Sequence, residues 1–258
     1  QFSWTYDKTG PTVSITASNG INEIARTSKT NDSELSITFE TSETTTDFAL
    51  DDITVSGGTL SDFSALNATT YNAIFTPSSD GQMVIRVVAG VFSDAAGNSS
   101  QSIAKFSWFY DATKPNMEIT ASNGTDEIAD VSSTNDSTLI LTFTSSESVA
   151  DFTVTDIIMG GAGGSISDFS STNDSVYTAT FTPSADGATT IDVDENSFTD
   201  ASGNDNMSAP QFHWTYDATS PGVVITASDA EYTISDGSIS NDASLTLEIT
   251  TIESTSNF

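Results

Sequence analysis

One stretch of sequence occurs three times along this chain. FSWTYDKTGPTVSITASNG stands at the start, returns as FSWFYDATKPNMEITASNG and again as FHWTYDATSPGVVITASDA, with Asp7, Asp111 and Asp217 at equivalent places and spacings of 104 and 106 residues. A fixed period restricts a chain to tandem units that each solve the same packing problem. A period of this length is the size of one β-sandwich, large enough to bury a core without disulfides.

The correspondence runs through the whole unit. Asn31-Asp32 recurs as Asn135-Asp136 and Asn241-Asp242, Glu43 as Glu147 and Glu253, and Tyr71 as Tyr177. Phe75-Thr76-Pro77 with Asp80-Gly81 recurs as Phe181-Thr182-Pro183 with Asp186-Gly187, and Phe92, Asp94, Gly97 and Asn98 recur as Phe198, Asp200, Gly203 and Asn204. The two extra residues of the second copy fall in the glycine stretch after Met159, where an insertion costs least.

Within a unit, alternating β-branched and aromatic residues separated by turn signals give seven strands: VSITAS, ELSITFE, DDITVSG, TLSDFS, TYNAIFTPS, QMVIRVVA and SIAKFSWFY. The class is all-β. In the last strand Phe106, Trp108 and Tyr110 share one face, which reads as core; a carbohydrate-stacking platform is the alternative.

These correspondences divide the chain into residues 1–6 as the last strand of a preceding copy, 7–110 and 111–216 as complete copies, and 217–258 as the start of a third. Asn257-Phe258 then matches the Asp47-Phe48 and Asp151-Phe152 pairs early in a unit. The expectation is a longer array, or ends completed by neighbouring chains through strand addition. Only Asp111-Ala112-Thr113-Lys114-Pro115 joins the first two copies, with no Gly/Ser tract to act as a hinge. A stiff rod gaining roughly 35 to 45 Å per unit is expected from strands of this length.

Charge narrows the partners. Six Lys plus Arg stand against 36 Asp plus Glu, and residues 115–258 carry 23 carboxylates and neither Lys nor Arg. Such a surface repels nucleic acid and anionic lipid, and its self-repulsion calls for cations. No apolar run is long enough to insert in a membrane. Zero cysteines excludes disulfides and thiolate metal sites.

With DATKPNMEITAS, FTSSESVADFTVTDI, VYTATFTPSADG and FTDASGND in that order within one unit, the chain resembles the tandem bacterial Ig-like repeats of very large surface adhesins and other secreted repeat proteins. The resemblance implies tandem Ig-like antiparallel β-sandwiches serving as an extracellular, cell-surface stalk or spacer. It further implies calcium at interdomain positions.

In an Ig-like unit the loop after the second strand and the loop before the last strand sit at the end facing the preceding domain. That end gathers Asp111, Glu147, Asp151, Asp200 and Asn204 in the second copy, and Asp7, Glu43, Asp47, Asp94 and Asn98 in the first, with Asp217 beginning the third set. Calcium takes six to eight hard oxygen ligands, and this residue set supplies that type. The competing reading is that Asp94 and Asp200 cap turns and that Asp7, Asp111 and Asp217 bond to nearby backbone amides.

Catalysis finds little footing. The lone His213 lies between Phe212 and Trp214 where the other copies have Ser3 and Ser107, so it reads as an exposed strand residue. The Asp51-Asp52 pair becomes Thr155-Asp156 in the second copy, so no carboxylate pair recurs there. GGAGGS opens no helix and is a loop, not a phosphate cradle.

A lysine isopeptide crosslink is impossible within the second copy beyond Lys114. N-glycosylation sequons stand at Asn31, Asn67, Asn98, Asn123, Asn135, Asn173 and Asn206, for use in a eukaryotic host. Expected partners are neighbouring repeats and other copies in a filament. The alternatives are repeats that bind glycan or protein through loops such as Ser56–Thr59 or Gly160–Ser165, and accessory domains of a secreted polysaccharide-acting enzyme.

Overall fold

The computed structural model describes residues 1–149, 151–229 and 231–253. The first unit comprises β1 (Val13–Ser18), β2 (Lys29–Thr30), β3 (Leu35–Thr41), β4 (Ile53–Ser56), β5 (Gly58–Ala65), β6 (Thr70–Pro77), β7 (Gly81–Val87) and β8 (Ala104–Tyr110). One sheet has the order β1-β3-β6-β5 and the other β2-β8-β7-β4. All pairs are antiparallel except β2 with β8.

The second unit repeats this plan with β9 (Met117–Ser122), β10 (Glu127–Ile128), β11 (Ser132–Thr134), β12 (Leu139–Ser145), β13 (Ile158–Gly161), β14 (Gly164–Asn173), β15 (Val176–Pro183), β16 (Gly187–Asp192) and β17 (Phe212–Tyr216). Its sheets run β10-β9-β12-β15-β14 and β11-β17-β16-β13. A third sheet follows from β18 (Val223–Ser228), β19 (Thr233–Ile234) and β20 (Thr246–Thr251) in the order β19-β18-β20. The fold is all-β, as the alternation of residue types indicates, with two facing four- or five-stranded sheets in each complete unit.

The period-two pattern decides what is buried. Along β3, Leu35, Ile37 and Phe39 are at most 1% exposed, while the residues between them reach outward. Phe106 and Trp108 are buried likewise, and the Trp108 ring meets Phe75 edge-on at 4.8 Å between centroids. The aromatic face of the last strand is therefore core. Each unit has its own core cluster, the first from Val13 to Trp108 and the second from Met117 to Trp214.

Tyr71 and Tyr177 recur because their hydroxyls pin the loop that crosses between sheets. Tyr71 Oη lies 2.7 Å from Thr45 Oγ1, and Tyr177 donates to the Val149 carbonyl at 3.3 Å.

Three departures from the sequence reading have physical causes. The short β2 and β11 were not anticipated: two or three residues pairing in parallel with the last strand leave no period to detect. The third strand starts at Ile53, because Leu50–Asp52 forms a 3-10 turn closed by the Ala49 N–H donating to Asp52 Oδ2 at 2.8 Å. Asp156 closes the equivalent turn by accepting from Thr153 N–H, so the second member of the Asp51-Asp52 pair is a structural cap present in both copies.

Residues 1–6 form no strand, and Phe2, Trp4 and Tyr6 are exposed, since no strand among the described residues pairs with them. Asn257-Phe258 lies outside the described residues.

Candidate metal centre

The loop before the last strand is built around one carboxylate. In DAAGN, Asp94 Oδ1 accepts from the N–H groups of Ala96 at 2.9 Å and Asn98 at 2.8 Å, and its Oδ2 accepts from Asn98 Nδ2 at 2.8 Å. Gly97 closes the loop with φ of +88°, a conformation that only glycine adopts without strain. DASGN does the same in the second unit, with Ser202 N–H, Asn204 N–H and Asn204 Nδ2 all donating to Asp200. The turn-capping reading of these aspartates thus holds, and it leaves Asp94 only 6% and Asp200 only 4% exposed.

β-Bridges between Thr45 and Asp94, and between Val149 and Asp200, bring the loop after the second strand alongside. The result is two groups of three carboxylates: Asp7, Glu43 and Asp94, and Asp111, Glu147 and Asp200. In each, one oxygen per residue lies within 4.8 Å of the others. Asp7, Glu43 and Asp94 line a shallow open hollow with Thr5, Thr44 and Ala95.

The electrostatics of each group are unbalanced. Burial, then the charges of Asp7 and Asp94, push the Glu43 carboxyl above its ordinary value. Glu147 is raised by burial, then by Asp111 and Asp200, with Lys29 of the first unit opposing. Asp94, by contrast, is held below the usual range by the Asn98 amide and the loop N–H groups. The loop fixes one anion and crowds two more against it, which is the chemistry of a hard-cation site. The donor set fits calcium: three carboxylates from three chain segments, in a setting open enough for waters to complete the shell.

Not every expected ligand joins these groups. Asp47 is turned away, its two oxygens accepting from Ser93 N–H at 2.9 Å and Ser93 Oγ at 2.6 Å, and Asp151 binds Thr199 the same way. Both staple one loop to the other instead of facing the cluster. Asn98 and Asn204 direct their amide nitrogens at the aspartates. Asp217 accepts from Thr219 N–H and sits in no such group among the described residues.

Contacts from the preceding unit complete the junction. Asn31 Nδ2 donates to Asn204 Oδ1 at 3.1 Å, while Asn204 Nδ2 donates to the Asp111 carbonyl at 2.9 Å and Ser202 Oγ to Asp111 Oδ2 at 3.1 Å. The turn before β7 holds the linker: Asp80 accepts from Ala112 N–H at 2.9 Å and from the Thr113 hydroxyl, and Asp186 accepts from Ala218 and Thr219. The Thr113 and Thr219 hydroxyls, then the linker N–H groups, keep Asp80 and Asp186 below the usual carboxylate range. These two clamps were missed by residue type, although the recurrence of Asp-Gly after Phe-Thr-Pro marked the place.

The sequons divide by access. Asn67, Asn135 and Asn173 are exposed, and Asn123 is exposed but donates to Asp136. Asn206 is 0% exposed, its Nδ2 shared by the Asp194 and Met207 carbonyls, so no glycan reaches it in the folded chain. The Nδ2 groups of Asn31 and Asn98 are used by Asn204 and Asp94. His213 is half exposed, its Nδ1 lying 3.4 Å from Asp130 Oδ1 on the surface.

No curated protein matches the sequence. Among solved structures, the chain is similar to InvD of Yersinia pseudotuberculosis at 16% identity and TM-score 0.36, covering 84% of this chain and 62% of that one. It is similar to invasin, described as a bacterial integrin-binding protein, at 15% identity and TM-score 0.42, covering 86% and 42%. The adhesin InvE of Yersinia pseudotuberculosis follows at 12% and 0.28, covering 81% and 59%. The chain therefore spans less than two thirds of the length of each. The sequence signature of the bacterial Ig-like domain matches twice, over residues 7–108 and 111–216, and the chain belongs to that family as tandem copies.

Proposed function

We propose that these repeats form an extracellular stalk in a cell-surface adhesin, and that calcium at the repeat junctions stiffens it. The observation that carries the reading is the Asp111, Glu147 and Asp200 group at the join between two units, where Asn31 of the first also reaches Asn204 of the second. Three anions from the linker and two loops repel one another. A bound divalent cation supplies the positive charge that turns this repulsion into a crosslink between linker and domain.

The protein's own residues prepare the site. The DASGN loop fixes Asp200, Ser202 orients Asp111, and Asp80 holds the linker in one path. Calcium is favoured over magnesium because the carboxylates come from separate loops with no enforced octahedron, and calcium accepts such irregular, larger shells. Extracellular modules commonly bind it at about 10⁻⁴ to 10⁻³ M, so a tenfold excess stabilises each site by about 1.4 kcal/mol. Reach and stiffness are then the function, binding resides elsewhere in the full protein, and neighbouring repeats are the partners. The open sequons at Asn67 and Asn173 leave room for surface glycans, whereas Asn135 repeats the place of the junction residue Asn31.

Titration calorimetry of the chelated chain tests this. Calcium-dependent heat that Glu147→Gln and Glu43→Gln together abolish supports the reading; no heat in the wild-type chain contradicts it.

A further inference from the structure

The turn that follows the first strand of each unit carries Asn19-Gly20 in the first copy, Asn123-Gly124 in the second and Asp229 in the third. We infer that Asn19 and Asn123 are sites of self-catalysed deamidation, by which the chain converts its own side-chain amide and solvent water to a carboxylate and ammonia.

The turn geometry favours the chemistry. Asn19 Oδ1 accepts from the N–H groups of Ile21 at 3.1 Å and Asn22 at 2.9 Å, and Asn123 Oδ1 from those of Thr125 at 3.0 Å and Asp126 at 2.8 Å. Two donors aimed at an amide oxygen polarise its carbon and stabilise negative charge that develops on that oxygen during attack. The attacking atom is the backbone nitrogen of the following glycine. Gly20 has φ of +89° and Gly124 of +93°, and the space on the Cα side of Gly20 is open, so the backbone around the attacking nitrogen is not walled in by a side chain of its own. The Gly20 N–H also donates to Ser18 Oγ at 3.0 Å.

The reaction balances without an oxidant or reductant. The glycine nitrogen bonds to Cγ of the asparagine, the Cγ–Nδ2 bond breaks, and ammonia leaves with the proton lost from that nitrogen. Water then opens the cyclic imide at either carbonyl, giving aspartate or isoaspartate.

The third copy carries an encoded aspartate at the equivalent position. Asp229 Oδ1 accepts from Glu231 N–H at 2.7 Å and Tyr232 N–H at 2.6 Å, so the same turn holds a carboxylate in the same cradle. Those two N–H groups keep the Asp229 carboxyl below its usual range, and it faces Asp242.

The change has a local consequence. Asn19 Nδ2 donates to both oxygens of Asp32, at 3.4 and 3.2 Å, and Asn123 Nδ2 to Asp136 at 3.3 Å. A carboxylate only accepts, so the amide orientation is fixed by its partner and the tie is lost on deamidation. Two like charges then face each other beside Asn31, the residue that bonds Asn204 across the junction. Deamidation at Asn19 thus loosens the loop that anchors the next repeat, independently of any bound cation.

The test is a peptide-mapping time course on the folded chain in neutral buffer. Expected are conversion to aspartate and isoaspartate at Asn19 and Asn123 ahead of the exposed Asn67 and Asn173, and loss of conversion at position 19 in Asn19→Gln. No conversion at Asn19 and Asn123 over the time in which the heat-unfolded chain converts at both overturns the inference. The Asn19→Asp chain tests the consequence: faster amide exchange over residues 31–33 is expected, and exchange identical to wild type overturns the link to the junction.

Discussion

Asn31 donates its side-chain amide to the side-chain carbonyl of Asn204 at 3.1 Å, although 173 positions separate them in sequence. Asn204 in turn donates to the Asp111 carbonyl and to Asp200, so one amide joins the preceding unit, the linker and the loop that carries the acidic group. The join between repeats is a hydrogen-bonded structure in its own right. Removing Asn31 with Ala is expected to cost about 1 kcal/mol or less at the junction, the net worth of one such bond. The transitions of the individual domains should not move, while small-angle scattering should show a broader spread of interdomain distances.

Glu147→Gln removes one of three crowded anions. In chelator the variant is expected to melt higher than wild type in the second unit, since repulsion with Asp111 and Asp200 is relieved. In calcium the order should reverse. Melting curves in the two buffers check both signs.

The pH profile follows from the directions of the shifts. Glu43 and Glu147 have raised carboxyls, so the folded chain holds more protons than the unfolded one, and stability falls as pH rises through their titration. Asp80, Asp94 and Asp186 are lowered and contribute stability above the ordinary aspartate range that is lost as pH falls through their folded values. In chelator, stability should therefore rise on mild acidification from neutral and then fall at stronger acid. With calcium present the share of that rise owed to Glu43 and Glu147 should vanish, while that of Asp52, raised by burial, stays, as denaturation followed across pH will show.

Separate cores predict separate failures. Phe75→Ala empties the space against Trp108 and is expected to destabilise the first unit by about 3 to 5 kcal/mol. The melting transition of the second unit, whose core has no residue in common with the first, should remain. Scanning calorimetry distinguishes this from a single merged transition.

The repeat and its alternation carried the fold. A strand such as Leu35–Thr41 is legible because its period-two burial is written in residue type. The Asp7, Glu43 and Asp94 group was legible because chain topology alone brings those loops to one end. Asp47 was not: a carboxylate beside a cluster and a carboxylate stapled to Ser93 look the same in sequence, and only the loop path separates them. Asp80 was missed for the opposite reason, since its partners Ala112 and Thr113 lie two strands further along the chain and donate through backbone and hydroxyl groups that residue identity does not advertise. The role of Asn31 depended on a neighbouring unit and so on geometry no single repeat contains.

Cations at the junction are expected to stiffen it. Small-angle scattering of the 258-residue chain, recorded with calcium and again after chelation, tests it most directly. A longer maximum dimension and narrower distance distribution with calcium, both lost in Glu43→Gln with Glu147→Gln, are predicted. Identical distributions in the two buffers would contradict it.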